Sequence, residues 1–440
     1  MESFRTQSSS ATAARRFPSF FFFERLVRFS RGYGLEYTAL IIILASFLIR
    51  CRDVFRARFQ PEMFLTVYTE YVSGRRGFLS DEAFYALAGW RYVHGSSLDI
   101  MTLSHPPLAI YLIGLSELLF MNHVMLSLVV SILTLIIVYL ISKSVVPHSP
   151  IALIPVFLLS LDKMYTTLSS VAWLEIYATL FASLSVLLLL SQRRWAKPLL
   201  YVSMGLALSC KWSTVFLVAL PVIYYALKKD WNQLKSYPLF LIITLITYSS
   251  TYAIFFIQGH TLQDFITLQS NMFAGQRYER FTSGSPPPFW LLLNFLTGIE
   301  GPTVIQEVFA NVDTRTITVI ATGTGISLIP FYNPFTWPML FSSSFLALYY
   351  SKNESREVVP LASGLLLFLA IFSTGQHFIW YMLPVFPLAF GSLGYTIHRI
   401  YSESKNKKRA IVILVLYLAS AAVCSLFVQM PPYIWISRNT

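Results

Sequence analysis

The chain has 440 residues, of which 12% are charged and 55% belong to the AVILMFWYC set, and its mean hydropathy is +0.59. That charge content is about half of what a soluble domain carries, which excludes a soluble globular enzyme, a disordered chain and a disulfide scaffold. The net charge of +12 points to anionic headgroups and away from nucleic acid, because the basic residues sit in short segments between apolar runs.

Residues 1–16 are rich in Ser, Thr and Arg and read as a tail. Residues 17–31 mix Phe with Arg25, Arg28 and Arg31, the pattern of an interfacial amphipathic segment. No cleavable signal peptide is evident. The first strong apolar run is 37–49. Further runs follow near 123–142, 150–161, 171–190, 199–210, 212–227, 238–257, 334–350, 358–373, 377–397 and 410–428. Basic clusters occupy alternate gaps: Lys143; Arg193, Arg194 and Lys197; Lys228, Lys229 and Lys235; Lys352 and Arg356; and 405–409. The positive-inside rule places these gaps in the cytoplasm, giving about eleven crossings with the N-terminus inside and the C-terminus outside. Arg50, Arg52, Arg56, Arg58, Arg75 and Arg76 fall on the outer side in this scheme, against the rule. The 199–227 run must turn back near 209–213. The short run 107–120 is expected to lie on the outer face without crossing. The predicted class is thus an all-α polytopic integral membrane protein. Its organisation is a tail and interfacial segment (1–36), a transmembrane module (37–400) with outer loops 51–122, 162–171 and 258–333, and a last section (401–440). That section holds a basic loop, a final span and a short outer tail.

Acidic residues number only 21, so those near the membrane are informative. Asp81 and Glu82 follow Ser80, which can N-cap a helix running to about His94, with Gly95 ending it. The two carboxylates then suit the positive end of the helix dipole. One of them could also accept a proton from an attacking hydroxyl. His105 precedes Pro106 and Pro107, which hold it in an extended turn at a helix start. Asp162 and Glu175 bracket an outer turn. Glu175 lies inside an apolar run, where it is either a functional acid facing the bundle or a protonated carboxyl bonded to a neighbour. Lys211 and Trp212 occupy an outer hairpin tip, with Lys211 either reaching water or meeting a lipid phosphate. Cys51, Cys210 and Cys424 are scattered, and no metal-ligand spacing, P-loop or dinucleotide fingerprint occurs, so neither a metal nor a cofactor is implied. Asn353 to Ser355 form an N-glycosylation acceptor on the cytoplasmic side, where it should stay unmodified.

In this order the pieces resemble the dolichyl-phosphate-mannose–protein mannosyltransferases and their wider GT-C superfamily. The carriers are Asp81-Glu82 after the first span, His105-Pro106-Pro107-Leu108 and Leu161-Asp162 followed by Leu174-Glu175. The stretch from Gly205 to Lys211-Trp212, Asn333-Pro334 and Tyr381-Met382-Leu383-Pro384 complete the set. Leu126 and Ser170 stand where the family commonly has arginines, which is more consistent with a divergent prokaryotic-type member. The resemblance implies a bundle of about eleven spans whose non-cytosolic face binds a polyprenyl- or dolichyl-phosphate sugar, with mannose the expected sugar. The acceptor is a protein or a lipid, and the setting is a cell membrane or, in a eukaryote, the endoplasmic reticulum. Asp81 would be the general base of an inverting transfer and Glu82 its acidic partner. Lys211 would contact the donor phosphate, with Trp212, His105, Asp162 and Glu175 lining or bracing the pocket. Arg91, Arg277 or Arg280 could replace the missing arginines. The alternatives are a transporter or flippase of a lipid-linked saccharide, and an inactive subunit of this fold in a glycosylation complex.

Overall fold

The computed structural model describes residues 19–75, 79–96, 98, 105–191, 193–281, 290–311, 316–329, 331–352, 356–372, 379–427 and 433–438. Arg76 and the glycosylation acceptor at 353–355 lie outside these residues.

α1 (Ser19–Arg50) runs without a break through both the interfacial segment and the first apolar run. The 51–122 segment then supplies three helices: α2 (Pro61–Val72), α3 (Asp81–Val93) and α4 (Leu108–Phe120). α3 forms where its caps predict. The Ser80 hydroxyl accepts a hydrogen bond from the Ala83 backbone N–H at 3.3 Å, and Gly95 turns the chain away at φ +87°. α3 crosses α4 where Gly89 meets Gly114, and a Cβ on Gly89 would stand 2.7 Å from the Gly114 nitrogen. This glycine pair lets the two backbones touch and fixes α3 to its neighbour. At 1.5 Å per residue α4 is about 20 Å long, too short to cross a core of about 30 Å. It exposes Leu118, Leu119 and Phe120 and buries Glu117, as a helix lying along the membrane would.

α5 (Met125–Val145) is long and apolar enough to cross a membrane alone. α6 (Leu153–Leu161) and α7 (Lys163–Ser169) form a pair bent by 63° at Asp162. α8 (Leu174–Leu190) and α9 (Ala196–Cys210) form a tight hairpin. Beyond α9 the chain is extended at Lys211, then continues as a 3-10 turn over Trp212–Val218 into α10 (Ala219–Lys228), which is the reversal expected near 209–213. Several hydroxyls inside these apolar helices bond to their own backbone. Ser131 donates to the Ser127 carbonyl at 2.7 Å, and Ser183 to the Thr179 carbonyl at 2.7 Å. They therefore need no partner from a neighbouring helix.

α11 (Trp231–Ser250) and α12 (Ala253–Ile257) lead to α13 (Leu262–Phe281) and α14 (Trp290–Thr297). The 258–333 segment also contains two antiparallel strands, β1 (Ile299–Asn311) and β2 (Thr316–Leu328). The chain's last strand, β3 (Tyr433–Arg438), pairs with β2 in the order β1-β2-β3. This small sheet was not anticipated, because the helical bundle dominates the hydropathy signal. α15 (Trp337–Ser351), α16 (Val359–Ile371), α17 (Phe386–Glu403) and α18 (Lys407–Phe427) complete the bundle. Among the described residues α5 and α18 are long and apolar enough to cross a membrane alone, and several other predicted crossings consist of shorter helices.

Candidate active site

The carboxylates predicted at the rim have different fates. Asp81, the first residue of α3, is exposed to water and has no hydrogen-bond or ion-pair partner among the described residues. The protein packed around it nevertheless pushes its carboxyl above the ordinary value by desolvation, while the charge of Lys211 works against that push. Glu82 turns the other way. Its Oε1 lies 3.3 Å from Nε2 of His123 and accepts the Ala172 backbone N–H at 3.3 Å. His123 is held between Phe64, at 5.2 Å between ring centroids, and Phe59, at 6.1 Å. Glu82 thus ties the start of α3 to the α4–α5 turn and the α7–α8 turn. His123 was missed in the sequence because a lone histidine beside an apolar run carries no spacing signal.

Deeper, Lys211 and Glu175 form a buried ion pair, with 5% and 0% of the two residues exposed. The ammonium also sits 4.0 Å from the centroid of the Tyr381 ring. The expectation that Lys211 reaches water is therefore corrected. Lys211 does not reach water, and its ammonium bonds to the Glu175 carboxyl, which offsets the cost of burying its charge. Asp81, Glu175 and Lys211 lie within one electrostatic neighbourhood, since each carboxylate senses the Lys211 charge.

The other candidates divide. Trp212 donates its indole N–H to the Tyr248 hydroxyl at 3.0 Å, and Tyr248 donates to Oε1 of Gln269 on α13 at 2.6 Å. His105 packs edge-on against Tyr85 of α3 at 5.9 Å, and its Nδ1 lies 3.4 Å from the Gln276 amide nitrogen. Trp212 thus links the turn after α9 to α11 and α13, and His105 links α13 to α3. Asp162 does not face the site. One of its carboxylate oxygens accepts the Tyr165 N–H at 2.9 Å and the other accepts the Trp337 indole N–H at 2.9 Å, so it clamps the bend between α6 and α7. Arg91 is not brought to Asp81 either. It lies about 15 Å further along α3 and stacks over the Tyr68 ring at 5.8 Å. The side chains of Arg277 and Arg280 lie outside the described set. Leu126 and Ser170 serve the backbone: the Leu126 N–H donates to the Ser116 hydroxyl at 2.9 Å, and the Ser170 hydroxyl donates to the Thr166 carbonyl at 3.0 Å.

With this geometry in place, residues 121–262 match the family model for dolichyl-phosphate-mannose-protein mannosyltransferase. The segment contains His123, Asp162, Glu175, Lys211 and Trp212, and it begins beyond Asp81, Glu82 and His105. No curated protein matches the chain by sequence. Among solved structures, the chain is similar to ArnT from Cupriavidus metallidurans bound to undecaprenyl phosphate, at 13% identity and a TM-score of 0.57. That alignment covers 90% of this chain and 75% of that one. The apo state of the same ArnT aligns at 12% identity and a TM-score of 0.57, covering 89% and 74%. The fold is thus the polytopic membrane bundle expected from the sequence. The family segment and the fold together indicate a glycosyltransferase.

Proposed function

We propose, on the premise that residues 121–262 are a protein-mannosyltransferase segment within a GT-C bundle, that the protein transfers a sugar from a polyprenyl-phosphate donor to an acceptor hydroxyl. Mannose is the sugar the family name favours, dolichyl or another polyprenyl chain carries it, and the acceptor is a protein or a lipid on the non-cytosolic face. Undecaprenyl phosphate bound to the similarly folded ArnT supports the lipid class.

The observation that carries this reading is the contrast among the carboxylates singled out in the sequence. Glu82, Asp162 and Glu175 are all engaged, whereas Asp81 is water-accessible and without a partner among the described residues. A general base must be free to take a proton and close enough to the reacting oxygen to do so. In the proposed step the acceptor oxygen attacks the anomeric carbon and its proton passes to Asp81. The bond from that carbon to the phosphate oxygen breaks, and the lipid phosphate leaves with the electron pair. A single displacement inverts the anomeric centre. The Lys211 charge favours the ionised form of Asp81. An ammonium has three N–H donors, so its pairing with Glu175 is chemically compatible with a contact to the departing phosphate, whose charge is strongly stabilised where water is scarce.

A lipid-linked saccharide transporter would place its ionisable groups near the middle of spanning helices. Glu175 instead lies in the first turn of α8, and Lys211 lies at the break after α9. The test is incubation of membranes bearing the protein with radiolabelled polyprenyl-phosphate mannose or glucose. Label is expected to move to a protein or lipid acceptor with the wild type and not with Asp81→Asn. Normal transfer by Asp81→Asn would overturn the assignment of the base. Absence of transfer by the wild type from either donor would overturn the donor class.

A further inference from the structure

The groove between α15, α17 and α18 is separate from the site above. It has a volume of about 560 Å³, and its walls include Met339, Leu393, Ile397, Ile413 and Leu414. Its mouth is formed by the short α17–α18 connection, where Ser404, Lys405, Asn406 and Arg409 line it. The mouth is strongly cationic, and its charges are unevenly compensated. Glu403 pairs with Arg399 at 2.5 Å, and Lys407 donates to the backbone carbonyls of Tyr401 and Ser402 at 2.5 and 2.9 Å. Lys405 and Arg409 are exposed and have no acidic partner among the described residues.

The interior has the opposite character. Only 17% of the apolar window of α18 is buried, and Ile413 is 57% exposed, so this wall of the groove is open to the hydrocarbon beside it. Tyr417, also in the lining, has a hydroxyl shielded from solvent and without a hydrogen-bond partner among the described residues. Eight residues separate Arg409 from Tyr417, a depth of about 12 Å along the helix. A ligand that fills this groove must therefore carry negative charge at one end and an acceptor a few bonds further on, followed by hydrocarbon.

We propose that this groove holds one anionic phospholipid of the surrounding leaflet. Its phosphate and anionic headgroup would meet Lys405 and Arg409, its ester oxygens would lie toward Tyr417, and an acyl chain would rest along Ile413 and Leu414. A zwitterionic lipid offers the same chains and phosphate without the net charge, so charge is what selects. The sugar donor is also an anionic lipid, but it is used at the opposite end of the topology derived from the basic loops. The proposal is therefore independent of the transfer chemistry.

The test is native mass spectrometry of the full chain in neutral detergent, titrated with dioleoylphosphatidylglycerol, dioleoylphosphatidylcholine or undecaprenyl phosphate. Phosphatidylglycerol is expected to bind the wild type about thirtyfold more tightly than phosphatidylcholine, from two cations at the membrane surface. The preference is expected to vanish in K405Q/R409Q. Ala410→Trp, which fills the groove, is expected to lower binding of both phospholipids. Single Lys405→Gln and Arg409→Gln variants, each expected to lose part of the preference, carry the test should the double variant fail to fold. Equal affinity for the two phospholipids in the wild type would overturn the proposal. So would a preference retained in the charge variants, or displacement of phosphatidylglycerol by undecaprenyl phosphate at a lower concentration.

Discussion

The start of α3 and the α8–α9 hairpin both bring carboxylates under the influence of Lys211, and they hold them in opposite ways. At the hairpin, Glu175 and Lys211 are buried together and bonded to each other. At α3, Asp81 is left to water while its neighbour Glu82 is tied to His123 and Ala172. A carboxylate locked in a buried pair stabilises an arrangement and is slow to exchange a proton. One at a wet helix start can take a proton and release it. The two regions therefore divide the labour that adjacent acids in a sequence cannot reveal.

Substitutions should separate the two roles. Asp81→Asn is expected to reduce transfer by about 100- to 10,000-fold while leaving the melting temperature near that of the wild type, because no interaction of Asp81 holds the fold. Lys211→Met should do the reverse in its main effect. It strands Glu175 as an uncompensated buried carboxylate, a loss of about 3–5 kcal/mol that thermal melting in detergent would read as a clear drop. Glu175→Gln alongside Lys211→Met should restore part of that stability. The folded fraction of the double variant gives a second readout. Transfer should rise with pH through a limb set by ionisation of Asp81, above the ordinary carboxylate range because burial raises that group. Since Lys211 lowers it, the limb should move to higher pH when Lys211 is removed. A pH profile unchanged by that substitution would place the base elsewhere.

The tie that positions Asp81 gives a smaller effect. His123→Ala frees Glu82 and loosens the α3 start, and a misplacement of about 1 Å can cost up to about 100-fold. Transfer should fall in kcat more than in KM, and His123→Gln, which can still donate to Glu82, should recover part of it. This tie shows where the sequence stops being legible. The α3 helix could be read from Ser80 and Gly95, and the reversal near Lys211 from the parity of basic gaps, because caps and charge bias are local signals. The ion pair between residues 175 and 211, the Asp162 clamp on Trp337 and the His123 contact join residues far apart in the chain. Their partners are fixed by helix packing, through contacts such as that of Gly89 with Gly114, and no spacing encodes them. The sheet escaped for another reason: β1 and β2 sit in a segment whose length signalled structure without naming its kind.

A third carboxylate belongs to neither region. Glu117 on α4 is fully buried, and neither of its oxygens has a hydrogen-bond partner among the described residues. Burial pushes its carboxyl up to about 9 from an ordinary value of 4.5. The folded protein therefore holds a proton there that the unfolded chain releases above about pH 4.5. The contribution of this group to stability is fully present below that point and declines as pH rises, until it is lost through about pH 9. Glu117→Gln replaces the neutral acid with a neutral amide of similar shape and removes the titration. Its melting temperature should exceed that of the wild type increasingly from pH 6 to pH 9, with little difference near pH 4. Parallel curves across that range would mean that Glu117 is already ionised in the folded protein. Its carboxylate would then need a compensating charge close to α4.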